Sequence, residues 1–246
     1  MPRTLRIGTR GSRLALAQSG AVAAALRAAS PDFAYELVVV QTEGDLKRDS
    51  LRAIGGRGVF ASAIEAELLA GRVDLAVHSL KDLTTTETPG LSLAAVPARE
   101  DVRDVLIAGR PWSELPQGAQ IGTGSLRRAA QLRLLRPDLQ VRDLRGNVDS
   151  RIARVRSGEL DGVVLAAAGL KRLGRAAEIA HVFPEEAVLP MVGQGALAIQ
   201  ARTDDAAARG AVRPLEDAPT RAAVTAERAF LRRLGAGCTA PVAAYA

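Results

Sequence analysis

The feature that most constrains the fold of this chain is a sequence pattern that occurs twice. The motif IGTRGS at residues 7–12 includes the end of a predicted strand at 5–9. It returns as IGTGS at 121–125, and each copy precedes a helical segment that contains arginine, alanine and a glutamine. An apolar segment that ends in small polar residues before a helical pattern predicts a buried strand, a turn and a helix, here capped by Ser12. Two copies in the same order predict two similar α/β lobes.

A second match follows the first in the same order. An Arg-Gly pair, a helical stretch, and a turn with glycine and aspartate before an apolar run occupy 57–77 and again 145–165. The segment 36–42 is too continuously apolar to have a solvated face, so we expect it to be a strand buried in a parallel sheet. Two lobes of this kind usually bind their ligand in the cleft between them.

The predicted elements divide the chain into three parts. These are a first lobe of 1–98 and 196–217, a second lobe of 99–195, and the beginning of a third domain at 218–246. The first lobe is discontinuous because a strand at 197–200 can return to it. The third part opens with a helix at 220–234, capped by Thr220. Since the chain ends soon after this helix, we expect the third domain to be incomplete and the activity to be low.

Two polar connections are expected to have distinct roles. The glycine-rich segment 43–58 is too long for a plain turn, and loops of this length often serve as a lid or a binding loop. The charged run 99–104 is interpreted as a crossover between the lobes, and a solvated turn is an equally compatible interpretation.

The positive charge of the chain comes almost entirely from arginine. The net charge is +6, and only Lys47, Lys81 and Lys171 among the 33 basic residues are lysines. Arginine holds a carboxylate or a phosphate through two parallel bonds, so the excess favours an anionic ligand; a coding bias toward arginine is the alternative. Their placement favours the ligand, because six arginines stand at predicted strand ends and helix starts: Arg10, Arg127, Arg128, Arg145, Arg151 and Arg172.

Several classes of protein are disfavoured. No glycine loop ends in Lys-Ser or Lys-Thr, and the glycines at 55, 56 and 58 lack the spacing of a dinucleotide fingerprint. Four phenylalanines, two tyrosines and one tryptophan, none interleaved with the arginines, do not make a nucleic-acid stacking platform. Two distant histidines and one cysteine cannot assemble a metal site, and His78 is interpreted as a core histidine. With no signal-type apolar segment and no run long enough to span a membrane, we expect a cytoplasmic protein.

Two side chains have a reactivity that the fold alone does not require. Cys238 is the only cysteine and has glycines close to it, so it is a candidate for covalent attachment; the alternative is a small buried apolar residue. Asp82 follows the predicted strand 73–77 together with Ser79 and Lys81. A carboxylate among cations stays ionised and can stabilise positive charge or transfer a proton; the alternative is a structural pair with Lys81.

Six motifs in order carry a resemblance to a known family. They are VHSLKD at 77–82, GTGSLRR at 122–128, LRGNV at 144–148, AGLKRLG at 168–174, VGQGA at 192–196 and GC at 237–238. Together they resemble the porphobilinogen deaminases, also called hydroxymethylbilane synthases. The resemblance implies two α/β lobes like those of type II periplasmic binding proteins, plus a small α+β third domain. It also implies a transferase of porphyrin, tetrapyrrole and heme biosynthesis that acts as a monomer.

The resemblance also implies the cofactor, the substrate and the site residues. A dipyrromethane joined to Cys238 by a thioether would receive four porphobilinogen units head to tail, with release of ammonia and hydroxymethylbilane. Asp82 would be the catalytic carboxylate facing the pyrrole nitrogens, and no metal is expected. Cofactor and substrate would be bound by Arg10, Ser12, Ser79, Lys81, Thr123, Ser125, Arg127, Arg128, Arg145, Gly146, Arg151, Arg172 and Gln194.

The chain departs from the family pattern at two places. Ala53 stands where the family often has a lysine before the two glycines of the flexible loop, and Leu83-Thr84-Thr85 follows Asp82 where a proline is usual. A second function also fits a two-lobed fold rich in arginine, namely a non-catalytic binding protein for a small polycarboxylate. That alternative assigns no role to Cys238 or Asp82.

Overall fold

The computed structural model describes residues 3–40, 59–235 and 240–246, without the side chains of Val59 and Phe60. The chain divides into two compact units. Unit 1 comprises Met1–Arg99 and Ala196–Thr239 with Ala246, and unit 2 comprises Glu100–Gly195 with Ala240–Tyr245. The predicted binding loop at 43–58 and the attachment residue Cys238 lie outside the described residues.

Unit 1 is built on a five-stranded mixed sheet. Its strands are β1 (Arg3–Thr9), β2 (Phe33–Val39), β3 (Leu75–Ser79), β4 (Leu91–Ala95) and β10 (Leu197–Arg202). Their spatial order is β2-β1-β3-β10-β4. β1 pairs in parallel with β2 and β3, and β10 runs antiparallel to β3 and β4. The returning strand predicted near residues 197–200 is therefore confirmed, and it lies between two strands of the first half of the chain.

Four helices of the described residues cover the two faces of this sheet. They are α1 (Arg13–Ala29), α2 (Val59–Leu69), α6 (Ala206–Val212) and α7 (Ala218–Arg233). One face packs on α1 and α6 through residues such as Leu5, Val22 and Ile199. The other face carries a cluster that includes Ile64, Leu68 and Val73. Fully burying side chains of this size contributes about 1.5–3 kcal/mol each, which is what keeps the layers together.

The helix caps confirm one prediction and correct another. Ser12 accepts a hydrogen bond from the backbone N–H of Ala15, as predicted for the start of α1. The predicted cap Thr220 is wrong: α7 begins two residues earlier, and Asp217 accepts from the backbone N–H of Thr220. The physical reason is that an Asp cap followed by a proline in the first turn makes a better helix start than an internal threonine.

Unit 2 repeats the plan of unit 1. Its strands are β5 (Asp104–Ala108), β6 (Gln120–Gly122), β7 (Gln140–Arg142), β8 (Gly162–Ala166) and β9 (His181–Val182), in the order β7-β6-β8-β5-β9. β6 pairs in parallel with β7 and β8, and β5 runs antiparallel to β8 and β9. The helices are α3 (Leu126–Leu135), α4 (Val148–Arg156) and α5 (Ala167–Arg172). The sequence repeat thus corresponds to two α/β lobes with one topology.

Two burial predictions fail for reasons of position. β2 is parallel to its neighbour, as predicted, but Leu37 and Val39 are 39% and 54% exposed, because β2 lies next to β1 at the edge of the sheet formed by the described strands. In the charged run 99–104, the interpretation as a solvated turn is wrong for Asp104, which is fully buried as the first residue of β5. In the part of the chain that the structure describes, no helix is both long and apolar enough to cross a membrane.

Candidate functional site

The carboxyl ends of β1 and β3 in unit 1 form a cavity with the N-terminus of α1. Asp82 lies in its wall on a short 3-10 turn, Leu80–Asp82, and its side chain is exposed. The polar lining consists of Arg10, Ser12, Gln18, His78, Ser79 and Asp82. The structure therefore brings together four predicted site residues, Arg10, Ser12, Ser79 and Asp82, and Lys81 stands on the same turn as Asp82.

Local packing fixes the geometry of this cavity. The Ser19 hydroxyl donates to the Thr9 hydroxyl at 2.8 Å and ties α1 to the end of β1, where both residues are fully buried. A Cβ at Gly8 would stand 3.1 Å from a methyl carbon of Ile64, so the glycine permits the close approach of α2. The first turn of α1 leaves backbone N–H groups without helical partners, which favours an anion there.

The turn that bears Asp82 is anchored on both sides. Leu80 is buried and donates its backbone N–H to the carbonyl oxygen of Ala196 at 3.0 Å, and Leu83 is also buried. Leu83 has φ −81° and ψ 141°, an extended conformation that a following proline would also favour. The departure from the family pattern after Asp82 therefore leaves the turn itself well held.

A buried charge cluster occupies the corresponding place in unit 2. Asp104 accepts from Arg127 Nη2 at 2.7 Å and from Arg128 Nε at 3.0 Å and Nη2 at 2.7 Å. Gln194 Nε2 donates to Asp104 at 2.8 Å and to the carbonyl of Val102 at 2.7 Å. Three predicted binding residues, Arg127, Arg128 and Gln194, thus meet around one carboxylate.

The electrostatics of this cluster follow from its burial. Burial alone would raise the pKa of Asp104, but the charges and hydrogen bonds of Arg128 and Arg127 outweigh it and lower the pKa. Burial lowers the pKa of Arg127, with Asp104 acting in the opposite direction. Asp104 is not among the site residues predicted from the sequence. The available signal was an acidic residue directly before the apolar run VLIA of a predicted strand.

In unit 2, the positive charge of a second arginine group, Arg145 and Arg151, is less neutralised by neighbouring carboxylates. Arg151 donates from Nε to the carbonyl of Gly146 at 2.7 Å, and Arg145 is exposed, 3.8 Å from Asp143. Burial lowers the pKa of Arg151, and the positive charges of Arg128 and Arg145 lower it further. Within the described residues Arg151 has no salt bridge, so an anionic ligand here would relieve a real electrostatic cost.

The remaining predicted residues are placed as follows. Arg172 donates from Nη2 to the carbonyl of Gly195 at 2.7 Å, and burial lowers its pKa. Thr123 is buried and accepts from the backbone N–H of Ser125 at 3.2 Å. The Ser125 hydroxyl caps α3 by accepting from the N–H of Arg128. Ser125 therefore repeats in unit 2 the role of Ser12 in unit 1.

These side chains fit a cofactor and substrates that carry several carboxylates. The half-buried Arg151 beside the exposed Arg145, the serine-capped helix start of each unit and other arginine forks are donors that suit carboxylate oxygens. Within the described ranges 3–40, 59–235 and 240–246, no group of three or more His, Cys, Asp or Glu side chains could hold a metal ion.

The topology defines the class of the protein. The two units have the fold of the type II periplasmic binding proteins, which confirms the expected fold class. The chain is similar to a periplasmic substrate-binding protein of an ABC transporter from Coxiella burnetii, with 13% identity, coverage of 89% of this chain and 94% of the other, and a TM-score of 0.53. It is also similar to a lipoprotein from Bacillus subtilis subsp. subtilis str. 168, with 12% identity, coverage of 98% and 99%, and a TM-score of 0.50. At these identities the likeness concerns the fold alone.

Sequence comparison identifies the family. A family model described as porphobilinogen deaminase, dipyromethane cofactor binding domain, matches residues 5–210, and a model of the porphobilinogen deaminase C-terminal domain matches 221–246. The chain belongs to the porphobilinogen deaminase family, which confirms the resemblance. It is 55% identical to the porphobilinogen deaminase of Syntrophus aciditrophicus (strain SB) over 98% of this chain and 80% of that protein. Identity to the enzyme of Roseiflexus sp. (strain RS-1) is 50%, over 100% and 82%.

Proposed function

We propose that this chain is a transferase that joins four porphobilinogen molecules head to tail onto a dipyrromethane held by Cys238, releasing ammonia and hydroxymethylbilane. The observation that carries the proposal is the position of Asp82. Its carboxylate lies in the wall of a cavity that also contains Arg10 and Ser12, in a chain whose family domain binds dipyrromethane.

Arginine side chains bind the carboxylates of the growing product. Each porphobilinogen carries an acetate and a propionate, so negative charge accumulates with every addition. In unit 1, Arg10 and the N-terminus of α1 are the carboxylate-binding groups, with Ser12 at the helix cap. In unit 2, Arg145 and Arg151 provide forks whose positive charge the described residues leave only partly neutralised.

Asp82 supplies the electrostatic part of the chemistry. When bound through a thioether to Cys238, the dipyrromethane supplies the pyrrole carbon to which the first porphobilinogen is joined. Each addition would form a carbon–carbon bond and break the carbon–nitrogen bond of the aminomethyl group, and the proton lost from the attacked pyrrole carbon would leave with ammonia as ammonium. Positive charge develops on pyrrole nitrogens meanwhile, and the Asp82 carboxylate stabilises it.

The proposal is tested with porphobilinogen and with the mass of the protein. We expect consumption of porphobilinogen with release of one ammonia per molecule, extra mass on the Cys238 peptide, and a coloured product of the bound dipyrromethane with an aldehyde reagent in acid. Cys238→Ala should lose the mass, the colour and the turnover. The alternative function, a non-catalytic binding protein for a polycarboxylate, predicts ligand binding with neither adduct nor ammonia, and that result would replace the transferase proposal.

We also propose that the chain acts as a monomer in the cytoplasm, without nucleic acid or membrane partners, and that its domains follow the limits 1–98 with 196–217, 99–195 and 218–246. A single reduced cysteine is compatible with a reducing compartment. Light scattering after gel filtration measures the molar mass, and a mass of twice 25.7 kDa would contradict the monomer.

A further inference from the structure

His78 lies in the wall of the Asp82 cavity, and the proposed function does not use it. It stands on β3 opposite Ala198 of β10, and only 7% of it is exposed. Its Nε2 atom is buried and has no hydrogen-bond partner among the residues that the structure describes. The sequence analysis interpreted His78 as a core histidine, and the burial agrees, but a buried imidazole nitrogen without a partner requires a physical reason.

A hydrogen-bond acceptor suited to His78 Nε2 lies on the neighbouring strand, β10. In the register of β10 and β3, Ala198 pairs with His78 and Gln200 pairs with Ala76, so alternation places His78 and Gln200 on the same face of the sheet. Gln200 is also 7% exposed, and its Oε1 is likewise buried with no partner in the described chain. Burial lowers the pKa of His78 to about 4, and the Gln200 side chain opposes this shift.

Glu65 on α2 determines which way the Gln200 amide points. Gln200 Nε2 donates to Glu65 Oε1 at 3.0 Å, and the Thr88 hydroxyl donates to Glu65 Oε2 at 3.0 Å. An ionised carboxylate only accepts hydrogen bonds, so the amide nitrogen must face Glu65 and the amide oxygen must face the other way. A hydrogen bond from the His78 ring to this oxygen, which acts to raise the pKa of His78, favours a proton on His78 Nε2.

We propose that Gln200 and Glu65 hold His78 as the neutral tautomer protonated at Nε2, so that Nδ1 is a second hydrogen-bond acceptor beside Asp82 for an N–H group of the substrate. The two nitrogens flank Cε1 and their in-plane bonding directions diverge widely, so an Nε2 that faces Gln200 leaves Nδ1 facing away from Gln200, on a side chain that lines the cavity. The substrate class, a pyrrole or aminomethyl N–H donor, rests on the proposed function. Gln200 and Glu65 act through His78 and are positioning residues.

The tautomer is measured by NMR of the chain labelled with ¹⁵N-histidine. His78 and His181 are the only histidines, so the variant His181→Gln assigns the signals. At pH 7 we expect His78 Nδ1 to resonate as an unprotonated nitrogen and Nε2 as a protonated one, without averaging. A proton on Nδ1, or an averaged pair of signals, would refute the proposal, and this measurement requires no turnover.

Variants of the supporting residues test the cause. In Glu65→Gln the new amide can donate a hydrogen bond to the amide oxygen of Gln200. The Gln200 amide can then flip, so we expect His78 to become a mixture of tautomers. Ser92→Ala is the matched control, because Ser92 lines a neighbouring pocket together with Glu65 and Gln200 but takes no part in their hydrogen bonds. An unchanged tautomer in Glu65→Gln would show that Glu65 does not orient the amide.

Substrate contact is tested separately. Porphobilinogen should shift the Nδ1 resonance of His78, and His78→Phe should lower kcat/KM about tenfold, the effect of losing one hydrogen bond. An unshifted Nδ1 resonance, or an unchanged kcat/KM in His78→Phe, would exclude a contact between His78 and the substrate. Failure of the proposed function would appear differently, as absence of ammonia and product from the unsubstituted chain, whatever the tautomer of His78.

Discussion

Replacing Asp104 by asparagine should destabilise unit 2 more than any surface substitution of the same type. Asp104 is fully buried and accepts three hydrogen bonds from Arg127 and Arg128 and one from Gln194. Asparagine keeps the shape but leaves two buried guanidinium groups without a countercharge. Removing one partner of a buried ion pair typically costs about 3–5 kcal/mol, and we expect a loss of free energy of unfolding in this range.

The assay is urea unfolding followed by the fluorescence of Trp112. Trp112 is the only tryptophan, and the centroids of the Trp112 and Phe183 rings are 5.0 Å apart, so its fluorescence reports on unit 2. The control is Asp138→Asn, which removes a partner of Arg136 in a pair whose side chains are 26% and 25% exposed, and we expect a much smaller loss. If Asp104→Asn lost no more stability than Asp138→Asn, the burial of Arg127 and Arg128 would not depend on Asp104 as their countercharge.

The stability difference between the unsubstituted protein and Asp104→Asn has a defined pH dependence. The pKa of Asp104 is lower in the folded than in the unfolded chain, where an aspartate titrates near about 3.9. Its stabilising contribution is therefore complete above that value and is lost as the pH falls toward the folded pKa. The stability difference between the unsubstituted protein and Asp104→Asn should be constant near neutrality and shrink in acid, and a difference that grew in acid would contradict the assignment.

Three further predictions concern separate parts of the chain. Asp82→Asn should fold normally, because Asp82 is exposed, but kcat should fall by two or more orders of magnitude in a porphobilinogen assay. Asp82→Glu should retain more activity. Full activity of the asparagine variant would show that Asp82 has a structural role. Gly146→Ala should cost about 1–3 kcal/mol in urea unfolding, because φ is 120° and its Cβ would clash with the Ser150 hydroxyl. Gly20→Ala lies inside α1 with open space around it and should instead stabilise the protein by about 0.5–1 kcal/mol. Burial lowers the pKa of His181, so its neutral form stabilises the fold above about pH 6.5 and this contribution should fade below it; His181→Gln should remove that pH dependence.

The sequence predicts best what depends on neighbours along the chain. Ser12 was recognisable as a helix cap because a cap needs only the turn that follows it, and it accepts the expected backbone hydrogen bond. Ser125, predicted only as a binding residue, caps α3 in the same way. The repeated motifs likewise predict two sheets of one topology, since each strand, turn and helix unit is local. Asp82 could be placed at a strand end for the same reason.

What the sequence does not show depends on contacts between distant segments. The exposure of Leu37 follows from the edge position of β2, which no local pattern reports. The two arginine partners of Asp104 are 23 and 24 residues away along the chain, and Gln194 is 90 residues away. The relation of His78 to Gln200 requires the register of two antiparallel strands from opposite ends of unit 1. In each case an ordinary residue acquires its role from a pairing that only the fold creates.

The sheet order of unit 1 has a consequence for synthesis on the ribosome. β10 lies between β3 and β4, yet it is translated after all five strands of unit 2, which occupy the continuous stretch from Asp104 to Val182. The half of the protein that is made first therefore keeps an open hydrogen-bonding edge on β3 until Arg202 has emerged, while the half made second can close its sheet at once. We expect nascent chains from which residue 196 has emerged but β10 has not to contain a protease-resistant unit 2 and a protease-sensitive N-terminal segment.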